Sequence, residues 1–292
     1  MAVAATGFFD GVHLGHRAVI EELLSVSRER GEDSVVVSFW PHPRNVLQDG
    51  ARNLRLLTSL EEKKEIILGL GVSKVEILPF TREFSQMTAE DYIRTVLIGR
   101  YGATGLILGY DNRMGSDHLG GEAVIPVAES LGLSVDIVGP VSSDNPLHNI
   151  SSTLVRESLL MGDAVGAAAM LGRPYSLYGV VVAGNRLGRT IGFPTANMQL
   201  YEPLKLIPAN GVYEVEVEVL GGRFRGMTNI GVRPTVGGVS RTIETHILGF
   251  DEEIYGLPMR LWFIRKIRDE KKFPSLEKLR EQLEKDKSCI SE

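Results

Sequence analysis

The chain has 292 residues, enough for two domains of ordinary size, and a formal net charge of -5. This acidic balance gives no indication of a nucleic-acid-binding face, so any phosphate ligand would be held by a local site. The single cysteine, Cys289, excludes disulfides within the chain and cysteine metal sites. No apolar stretch is long enough to span a bilayer, and residues 1–9 lack the features of a signal peptide, so we expect a cytoplasmic protein that binds no membrane.

Strands and helices alternate in the first half of the chain. Short runs rich in Val, Ile and Leu predict strands at residues 2–9, 34–40, 74–80, 105–109 and 134–138. Amphipathic patterns between and after them predict helices at residues 17–30, 59–70, 89–101, 121–131, 152–161 and 163–171. Continuous apolar strands separated by helices indicate an α/β domain with a parallel sheet covered on both faces.

The turn after the first strand is the most informative feature of the sequence. It reads Gly-Phe-Phe-Asp-Gly-Val-His-Leu-Gly-His over residues 7–16, with His13 and His16 three residues apart. In an open α/β sheet this turn lies at the carboxyl edge of the strands, where ligands bind. Its glycines let backbone amides approach a phosphate, and imidazoles at i and i+3 point the same way from the helix N-terminus. A histidine that merely caps the helix is the alternative, but the position of the motif favours nucleotide chemistry.

Other polar residues are expected at the same edge of the sheet. Ser152 and Thr153 start a predicted helix, where their side chains are suited to cap the helix N-terminus. The hydroxyls and free backbone amides at this position could also bind an anion. Arg156, one turn further on, could grip a phosphate with its fork of donors. His42 lies between two prolines after the second strand, and Asp111 follows the fourth strand. A rigid turn and a surface loop are the alternative interpretations of these last two.

After residues 173–174 the pattern changes to strands without intervening helices. Strands are predicted at residues 178–183, 212–220, 224–230, 242–250 and 259–264. Residues 212–219 alternate apolar and acidic side chains, so one face is buried and the other is wet. Five or six such strands indicate an antiparallel barrel or sandwich, followed by a charged amphipathic helix at residues 274–286. We therefore expect one domain at residues 1–172 and a second at residues 173–292.

Two loops and one carboxylate carry the chemistry expected of the second half. Residues 188–197 are too rich in special residues, including Gly188 and Gly192, for an ordinary hairpin. Thr195 and Asn197 there present two oxygens on one side of an extended segment, which suits Mg²⁺. Residues 229–235 are predicted as a second rigid loop. Glu244 lies in the middle of a predicted strand, where a carboxylate is usually on the solvent-exposed face. It is a general-base candidate if it faces the oxygens of Thr195 and Asn197.

Together, these motifs resemble the bacterial bifunctional riboflavin kinase/FMN adenylyltransferases, also called FAD synthetases. The resemblance covers almost the whole chain and rests on motifs in order: residues 7–16, Pro-His-Pro at 41–43, Ile-Ser-Ser-Thr-Leu-Val-Arg at 150–156, Leu-Gly-Arg-Pro-Tyr at 171–175, Phe-Pro-Thr-Ala-Asn at 193–197, Asn-Ile-Gly-Val-Arg-Pro-Thr at 229–235, Glu-Thr-His-Ile-Leu at 244–248 and Arg-Asp-Glu-Lys-Lys-Phe at 268–273. It implies a Rossmann-like nucleotidyltransferase-type α/β domain followed by a six-stranded riboflavin kinase β-barrel.

The resemblance implies two reactions. The barrel would convert riboflavin and ATP to FMN and ADP, and the α/β domain would convert FMN and ATP to FAD and pyrophosphate, both with Mg²⁺. The partners implied are these flavins and ATP, and the protein would be a monomer or weak homo-oligomer.

The resemblance also implies roles for individual residues. Glu244 matches the base that takes the proton from the ribityl hydroxyl, and Thr195 and Asn197 match the ligands of Mg-ATP. His13 and His16 match the groups that stabilise charge on the α-phosphate and on the departing pyrophosphate, and contact with phosphate should favour their protonated forms. Arg156 matches a catalytic residue that also holds the phosphates of ATP. Other matches bind ATP or its phosphates, namely Gly7, Phe8, Asp10, Gly11, Ser152, Thr153, Gly188 and Gly192. His42 and Asp111 match residues that bind the flavin.

The sequence departs from the family pattern in the loop after the fourth strand. Asn112 and Met114 stand where the family usually has aromatics that support flavin stacking or loop packing. This departure favours one alternative, a riboflavin kinase whose first half is a scaffold with little adenylyltransfer. A second alternative is a flavin-binding regulator without turnover, but Glu244 with Thr195 and Asn197 argues against it because binding alone needs neither a base nor a metal ligand.

Overall fold

A parallel five-stranded sheet organises the first of two compact units, Met1–Ser152. The structure is a computed structural model that describes residues 1–47, 54–141, 149–184, 187–235 and 238–290. The strands of this unit are β1 (Ala2–Thr6), β2 (Asp33–Trp40), β3 (Lys74–Pro79), β4 (Ala103–Gly109), β5 (Arg113–Met114), β6 (Leu119–Gly120) and β7 (Ser134–Val138). The sheet order is β3-β2-β1-β4-β7, and β5 and β6 form a separate two-stranded ribbon. The predicted parallel α/β sheet is therefore confirmed.

Helices cover both faces of this sheet. They are α1 (Leu14–Arg30), α2 (Pro43–Leu47), α3 (Leu60–Gly69), α4 (Ala89–Tyr92), α5 (Gly99–Tyr101) and α6 (Ile125–Ser130), with a π-helical stretch at Ile93–Ile98 and 3-10 turns at Phe84–Gln86 and Gly121–Val124. Alternate residues of each strand enter opposite cores. Val3 and Ala5 of β1 pack with Ile20 and Leu23 of α1, whereas Ala4 packs with residues from the other side.

The strand order puts a topological switch point beside β1. The chain runs outward from β1 through β2 to β3, then returns to β4 on the other side of β1. Loops that leave β1 and β4 consequently diverge and open a crevice at the carboxyl ends of these two strands. The first strand is shorter than the predicted residues 2–9 because the chain leaves the sheet at Thr6, and α1 starts three residues before the predicted residue 17.

A closed antiparallel barrel forms the second compact unit, Thr153–Glu292. Its strands are β8 (Tyr175–Val182), β9 (Ala196–Leu200), β10 (Gly211–Val219), β11 (Gly222–Thr235), β12 (Gly238–Ile247) and β13 (Pro258–Arg268), closed in the order β10-β11-β12-β9-β8-β13. The helices that follow the first unit are α7 (Ser152–Met161), α8 (Ala164–Leu171), α9 (Leu187–Thr190) and α10 (Leu276–Ser288). Of the two architectures left open by the sequence, the barrel is correct.

Residues 229–235 are not a loop, and this prediction is wrong. They are the second part of β11, paired with β12 from Asn229↔Glu244 onward. Gly231 lies within this ladder, where a Cβ would come within 2.5 Å of Oε1 of Glu270. The glycine that suggested a loop therefore marks a close approach within a strand.

The last helix is fixed to the barrel by a buried ion pair. Arg268 of β13 contacts Asp286 of α10 through Nε and Nη2, at 2.8 to 3.0 Å, and Gln282 adds a hydrogen bond to the same carboxylate. Removing one partner of such a pair would leave a buried charge uncompensated. The compact units divide at 152/153, with α7 and α8 grouped with the barrel, and the domain boundary expected at 172/173 stays a prediction. In the described part of the chain, no helix is long and apolar enough to cross a membrane.

Candidate functional sites

A cavity of about 170 Å³ lies at the switch point of the parallel sheet. Residues after β1 and residues after β4 line it together: Gly7, Phe8, Phe9, His13, Gly15 and His16 from the first loop and helix, and Gly109, Tyr110, Asp111 and Asn112 from the second. Ile150, just before α7, completes this part of the wall. The structure therefore brings the histidine motif and Asp111 together, in a cavity that the α/β topology predicts as a ligand site.

The two histidines of the motif lie against each other. Their ring centroids are 3.6 Å apart and the rings are nearly parallel at 19°. His13 is the N-cap of α1, where its Nδ1 accepts a hydrogen bond from the His16 amide at 3.4 Å, and Phe9 contacts His16 edge to face. The capping interpretation of His13 is thus correct, and the same ring also lines the cavity.

The surroundings of His16, which is half-buried, favour the neutral form of its imidazole. Burial lowers the pKa of His16 well below its usual value, and the nearby charges of His13 and Lys63 lower it further. Its Nδ1 is buried and, within the residues that the structure describes, has no hydrogen-bond partner. A buried polar atom of this kind is costly, so a ligand group that supplied a partner would be bound favourably.

Pyrophosphate binding is expected to be coupled to proton uptake through His16. The imidazole is neutral in the free protein because its pKa is lowered, and a bound anion raises that pKa, so protons are taken up between the two values. Titration calorimetry near pH 6.5 in buffers of different ionisation enthalpy measures this uptake, with His16→Ala as the control. Equal uptake by the variant and the wild type would mean that His16 stays neutral in the complex.

The loop between β1 and α1 is held in an unusual backbone conformation. Phe9 and Val12 have positive φ angles of 50° and 43°, a region that side chains with a Cβ rarely adopt. Asp10 attaches the loop to residues 57 and 58, because its Oδ1 accepts hydrogen bonds from the amides of Leu57 and Thr58 at 3.0 and 3.2 Å. Asp10 is itself buried, so its carboxylate shapes the loop, and direct contact of Asp10 with phosphate stays a prediction.

The predicted phosphate residues at the start of α7 fall at the boundary of the compact units. Ser152 donates from Oγ to the backbone carbonyl of Asp10 at 2.9 Å, which ties the helix start to the histidine loop. In the same loop, the amide of Gly11 donates a hydrogen bond to Thr58 Oγ1 at 3.1 Å. Thr153 and Arg156 lie on the first turns of α7 in the second unit, and their contact with a nucleotide stays a prediction.

A larger cavity of about 540 Å³ adjoins the histidine cavity. The two share Thr6, Gly7, Phe8 and Asn112 as wall residues. The wall of the larger one is mostly aromatic and apolar, with Phe39, Phe80, Phe84, Met87, Tyr92 and Met114. A flat aromatic ligand with a phosphate could therefore place its ring in the larger cavity and its phosphate near the histidines.

The two predicted flavin residues lie in different places. His42 packs against Phe8 with ring centroids 4.3 Å apart, and Phe8 lines both cavities. Asp111 lines the histidine cavity instead. Of the two departures from the family pattern, Met114 is buried in the core beneath the larger cavity, and Asn112 donates to the Thr6 carbonyl at 2.8 Å. Both side chains therefore support the packing of their loop.

Sequence reasoning missed Lys63 and the aromatic wall. Lys63 is buried against the histidine loop, although in the sequence it is one of several charges on an amphipathic helix. Phe80 and Phe84 come from the end of β3 and the segment after it, which carried no motif. An apolar cluster after a parallel strand, at Pro79–Phe80, is the only signal that could have suggested this wall.

In the barrel, side chains from four neighbouring strands form one row on the outer face. Val212 of β10, Asn229 of β11, Glu244 of β12 and Asn197 of β9 are direct cross-strand partners. Directly paired residues project to the same side of a sheet, and the alternate partners Thr228 and Thr245 point inward, where they hydrogen-bond at 2.8 Å. Glu244 and Asn197 therefore share a face, and the role of Glu244 as a base that faces the oxygens of both Thr195 and Asn197 stays a prediction.

Three members of this row, Val212, Asn229 and Glu244, line a cavity of about 290 Å³, whereas Asn197 is not part of its wall. Polar wall residues are Thr195, Asn229, Glu244, His246, Arg268, Glu270 and Lys271, and apolar ones include Phe193, Phe273, Leu279 and Leu283. The last two belong to α10, which Arg268 and Asp286 hold in place. A second cavity, of about 500 Å³, has Arg189, Thr195, Phe250 and Tyr255 in its wall. Thr195 thus lies at the wall of both.

Tight backbone packing positions the metal-ligand candidates. A Cβ on Gly184 would lie 2.1 Å from Nδ2 of Asn197, and a Cβ on Gly188 would lie 2.1 Å from the Phe193 carbonyl oxygen. Gly192 has a φ of 82°, which lets the chain turn into β9. His246 holds the same loop through a 2.8 Å contact between Nδ1 and the Pro194 carbonyl, and burial lowers the pKa of this imidazole. Close packing and this contact therefore hold the loop on the side that bears Thr195.

Comparisons with known proteins match both halves of the chain. A family model described as FAD synthetase matches residues 1–154, and one described as riboflavin kinase matches residues 171–292. The bifunctional riboflavin kinase/FMN adenylyltransferase of Bacillus subtilis is 34% identical over 289 residues, with 98% of this chain and 90% of the relative covered. That of Escherichia coli K12 is 36% identical over 291 residues, with 99% and 92% covered.

A solved structure agrees with the fold over both units. It is described as a macrolide-efflux protein from Streptococcus pneumoniae, is 31% identical, and covers 99% of this chain and 93% of its own, with a TM-score of 0.92. With two family models and full-length relatives above one-third identity, the chain belongs to the bifunctional riboflavin kinase/FMN adenylyltransferase family.

Proposed function

We propose that the two halves of the chain divide the two reactions of the family between them. The barrel phosphorylates riboflavin to FMN with ATP, and the parallel α/β unit adenylylates FMN to FAD with release of pyrophosphate. The observation that carries this proposal is that each compact unit has its own cavities lined by the residue types that its reaction needs. The central residues of each proposed site lie within one compact unit: Glu244 lies in the second unit, and His13 and His16 lie in the first.

In the barrel, Glu244 acts as the general base. Riboflavin enters the cavity beneath α10, where Phe273 and Leu279 give its ring an apolar wall. Glu244 takes the proton of the terminal ribityl hydroxyl while that oxygen forms a bond to the γ-phosphorus of ATP and the bond to ADP breaks. A free hydroxyl is a weak nucleophile, so a carboxylate placed on the same face as Asn197 accelerates its attack.

ATP for this step is placed in the neighbouring cavity, on the other side of Thr195. The oxygens of Thr195 and Asn197 are hard, neutral donors of the kind that Mg²⁺ accepts alongside substrate phosphates. The donor set therefore fits a metal ion brought with ATP, which supplies positive charge to the transferring phosphoryl group when bound.

In the parallel unit, adenylyl transfer needs charge stabilisation more than a base. The FMN phosphate is already largely a dianion near neutral pH, since its second pKa is ~6. One of its oxygens attacks the α-phosphorus of ATP, and pyrophosphate leaves. His13 and His16 lie where they can stabilise the charge that develops on the α-phosphate and the leaving group, and Arg156 with Ser152 and Thr153 holds the β- and γ-phosphates.

FMN is placed with its ring in the large aromatic cavity and its phosphate toward the histidines. Phe8, backed by His42, lies where these two cavities meet, and Asp111 lies on the nucleotide side. The loop bearing Asn112 and Met114 is packed into this wall, which supports two working sites over the alternative of a silent scaffold.

A product assay with purified protein and Mg-ATP tests this function. FAD is expected from riboflavin and also from supplied FMN, separated by chromatography, and chelation of Mg²⁺ with EDTA is expected to stop both steps. FMN from riboflavin with no FAD from either substrate would instead identify a kinase with a silent first half. Flavin binding without any turnover of ATP would identify a flavin-binding regulator.

A further inference from the structure

Lys63 is a buried cation directly beneath the histidine loop. Only 3% of its surface is exposed, and it lies on the first turn of α3, whose start is fixed by a capping box between Ser59 and Glu62. Its Nζ donates to the carbonyl oxygen of Phe8 at 2.9 Å and to Ser38 Oγ at 3.1 Å. Ser38 Oγ donates to the same Phe8 oxygen at 3.2 Å, so this carbonyl receives two hydrogen bonds.

Burying an ammonium group in this way is unfavourable. Lysine is almost never fully buried without a partner, because its charge loses its hydration. Burial lowers the pKa of Lys63 to about 8, although the negative charge of Asp10 acts in the opposite direction. The ammonium also lies over the ring of Phe8, 5.5 Å from its centroid, and its charge acts on His16, so Lys63 interacts with two residues of the histidine loop.

The orientation of one peptide group explains why this position matters. A trans peptide is planar, so the N–H of Phe9 points away from the carbonyl oxygen of Phe8. That oxygen points at Lys63, which lines neither cavity, whereas Phe8 and Phe9 both line the histidine cavity. The φ of Phe9 is 50°, a strained value that persists only when the surroundings fix it.

We propose that Lys63 is a positioning residue for adenylyl transfer, which holds the Phe8–Phe9 peptide so that the Phe9 amide faces the histidine cavity as a donor to the reacting phosphate. The inference rests on the function proposed for the first half. A flipped peptide would turn the Phe8 carbonyl oxygen toward the phosphate and repel it. Lys63 prevents this flip by binding that oxygen from the protein side, with Ser38 as the second donor.

The test compares Lys63→Met with Lys63→Arg and with a neighbouring control. Methionine keeps the apolar volume and removes the charge and the donors, whereas arginine keeps both. Lys63→Met is expected to lower kcat for FAD formation from FMN by at least about tenfold, with KM for FMN within about threefold, since a donor to the developing charge acts in the transition state. Lys63→Arg is expected to recover part of this loss. Lys64→Met, at the next position, where the side chain is partly exposed, is expected to match the wild type.

Riboflavin phosphorylation in the same samples separates positioning from misfolding. It belongs to the other compact unit and is expected to be unchanged in all three variants. Full FAD formation by Lys63→Met, equal losses in Lys63→Met and Lys63→Arg, a rise in KM alone, or a parallel loss of phosphorylation would each overturn the proposal. Failure of the wild type to make FAD from FMN would instead overturn the function proposed for the first half.

Discussion

Replacing Glu244 with glutamine is expected to lower the rate of riboflavin phosphorylation by about 10²- to 10⁴-fold, which is the usual contribution of a positioned general base. Glutamine has the same shape and still fits between Asn197 and Asn229, but it cannot accept the ribityl proton. FAD formation from supplied FMN is expected to continue at the wild-type rate, because Glu244 lies in the second compact unit. Separate assays of FMN and FAD formation measure both effects on one protein sample.

A matched substitution shows whether the loss is specific to this carboxylate. Glu218→Gln, on the outer face of β10, removes a partly exposed carboxylate that lines neither barrel cavity and is expected to leave both reactions unchanged. Loss of both activities in a folded Glu244→Gln protein would mean that the two reactions do not have separate sites.

The sequence predicted those parts of the site that follow from local pattern and sheet topology. The glycine-rich turn after β1 had to lie at the carboxyl edge of a parallel sheet, so His13 and His16 could be placed together before the structure was known. Asp111 could be placed nearby because β4 was expected in the same sheet. The structure confirms both placements in one cavity.

Contacts made across long stretches of the chain could not be predicted. Lys63 meets Phe8 55 residues away, and nothing in the helical pattern of residues 59–70 distinguishes its buried charge from the exposed charges beside it. Strand register places Glu244 on the same face as Asn197, and a register shift of one residue would have turned the Glu244 side chain into the barrel. The same register explains why residues 229–235 were wrongly predicted as a loop: they pair with β12 along their whole length.

Replacing His16 with alanine is expected to lower FAD formation from FMN by about 10²- to 10³-fold, the range seen when one group that stabilises developing negative charge is removed. The backbone amide of His16 still binds Nδ1 of His13, and alanine favours a helix, so α1 should keep its start. Riboflavin phosphorylation is expected to be unaffected because the barrel forms a separate compact unit. His16→Gln, which keeps an amide donor of similar reach, is expected to lie between alanine and the wild type.

The reverse reaction gives the stricter test of this role. FAD and pyrophosphate must pass through the same transition state as FMN and ATP, and an enzyme cannot change the overall equilibrium. The fall in kcat/KM for pyrophosphate-dependent cleavage of FAD must therefore equal the fall for FAD synthesis whatever the role of His16, so the separate kcat and KM values in each direction discriminate between roles. If His16 stabilises the transition state, His16→Ala is expected to lower kcat in both directions. If His16 only shapes the cavity for ATP, the loss will be in KM for ATP and kcat will stay near the wild-type value. A kcat effect in both directions, with normal riboflavin phosphorylation, would therefore assign His16 to the chemical step rather than to binding.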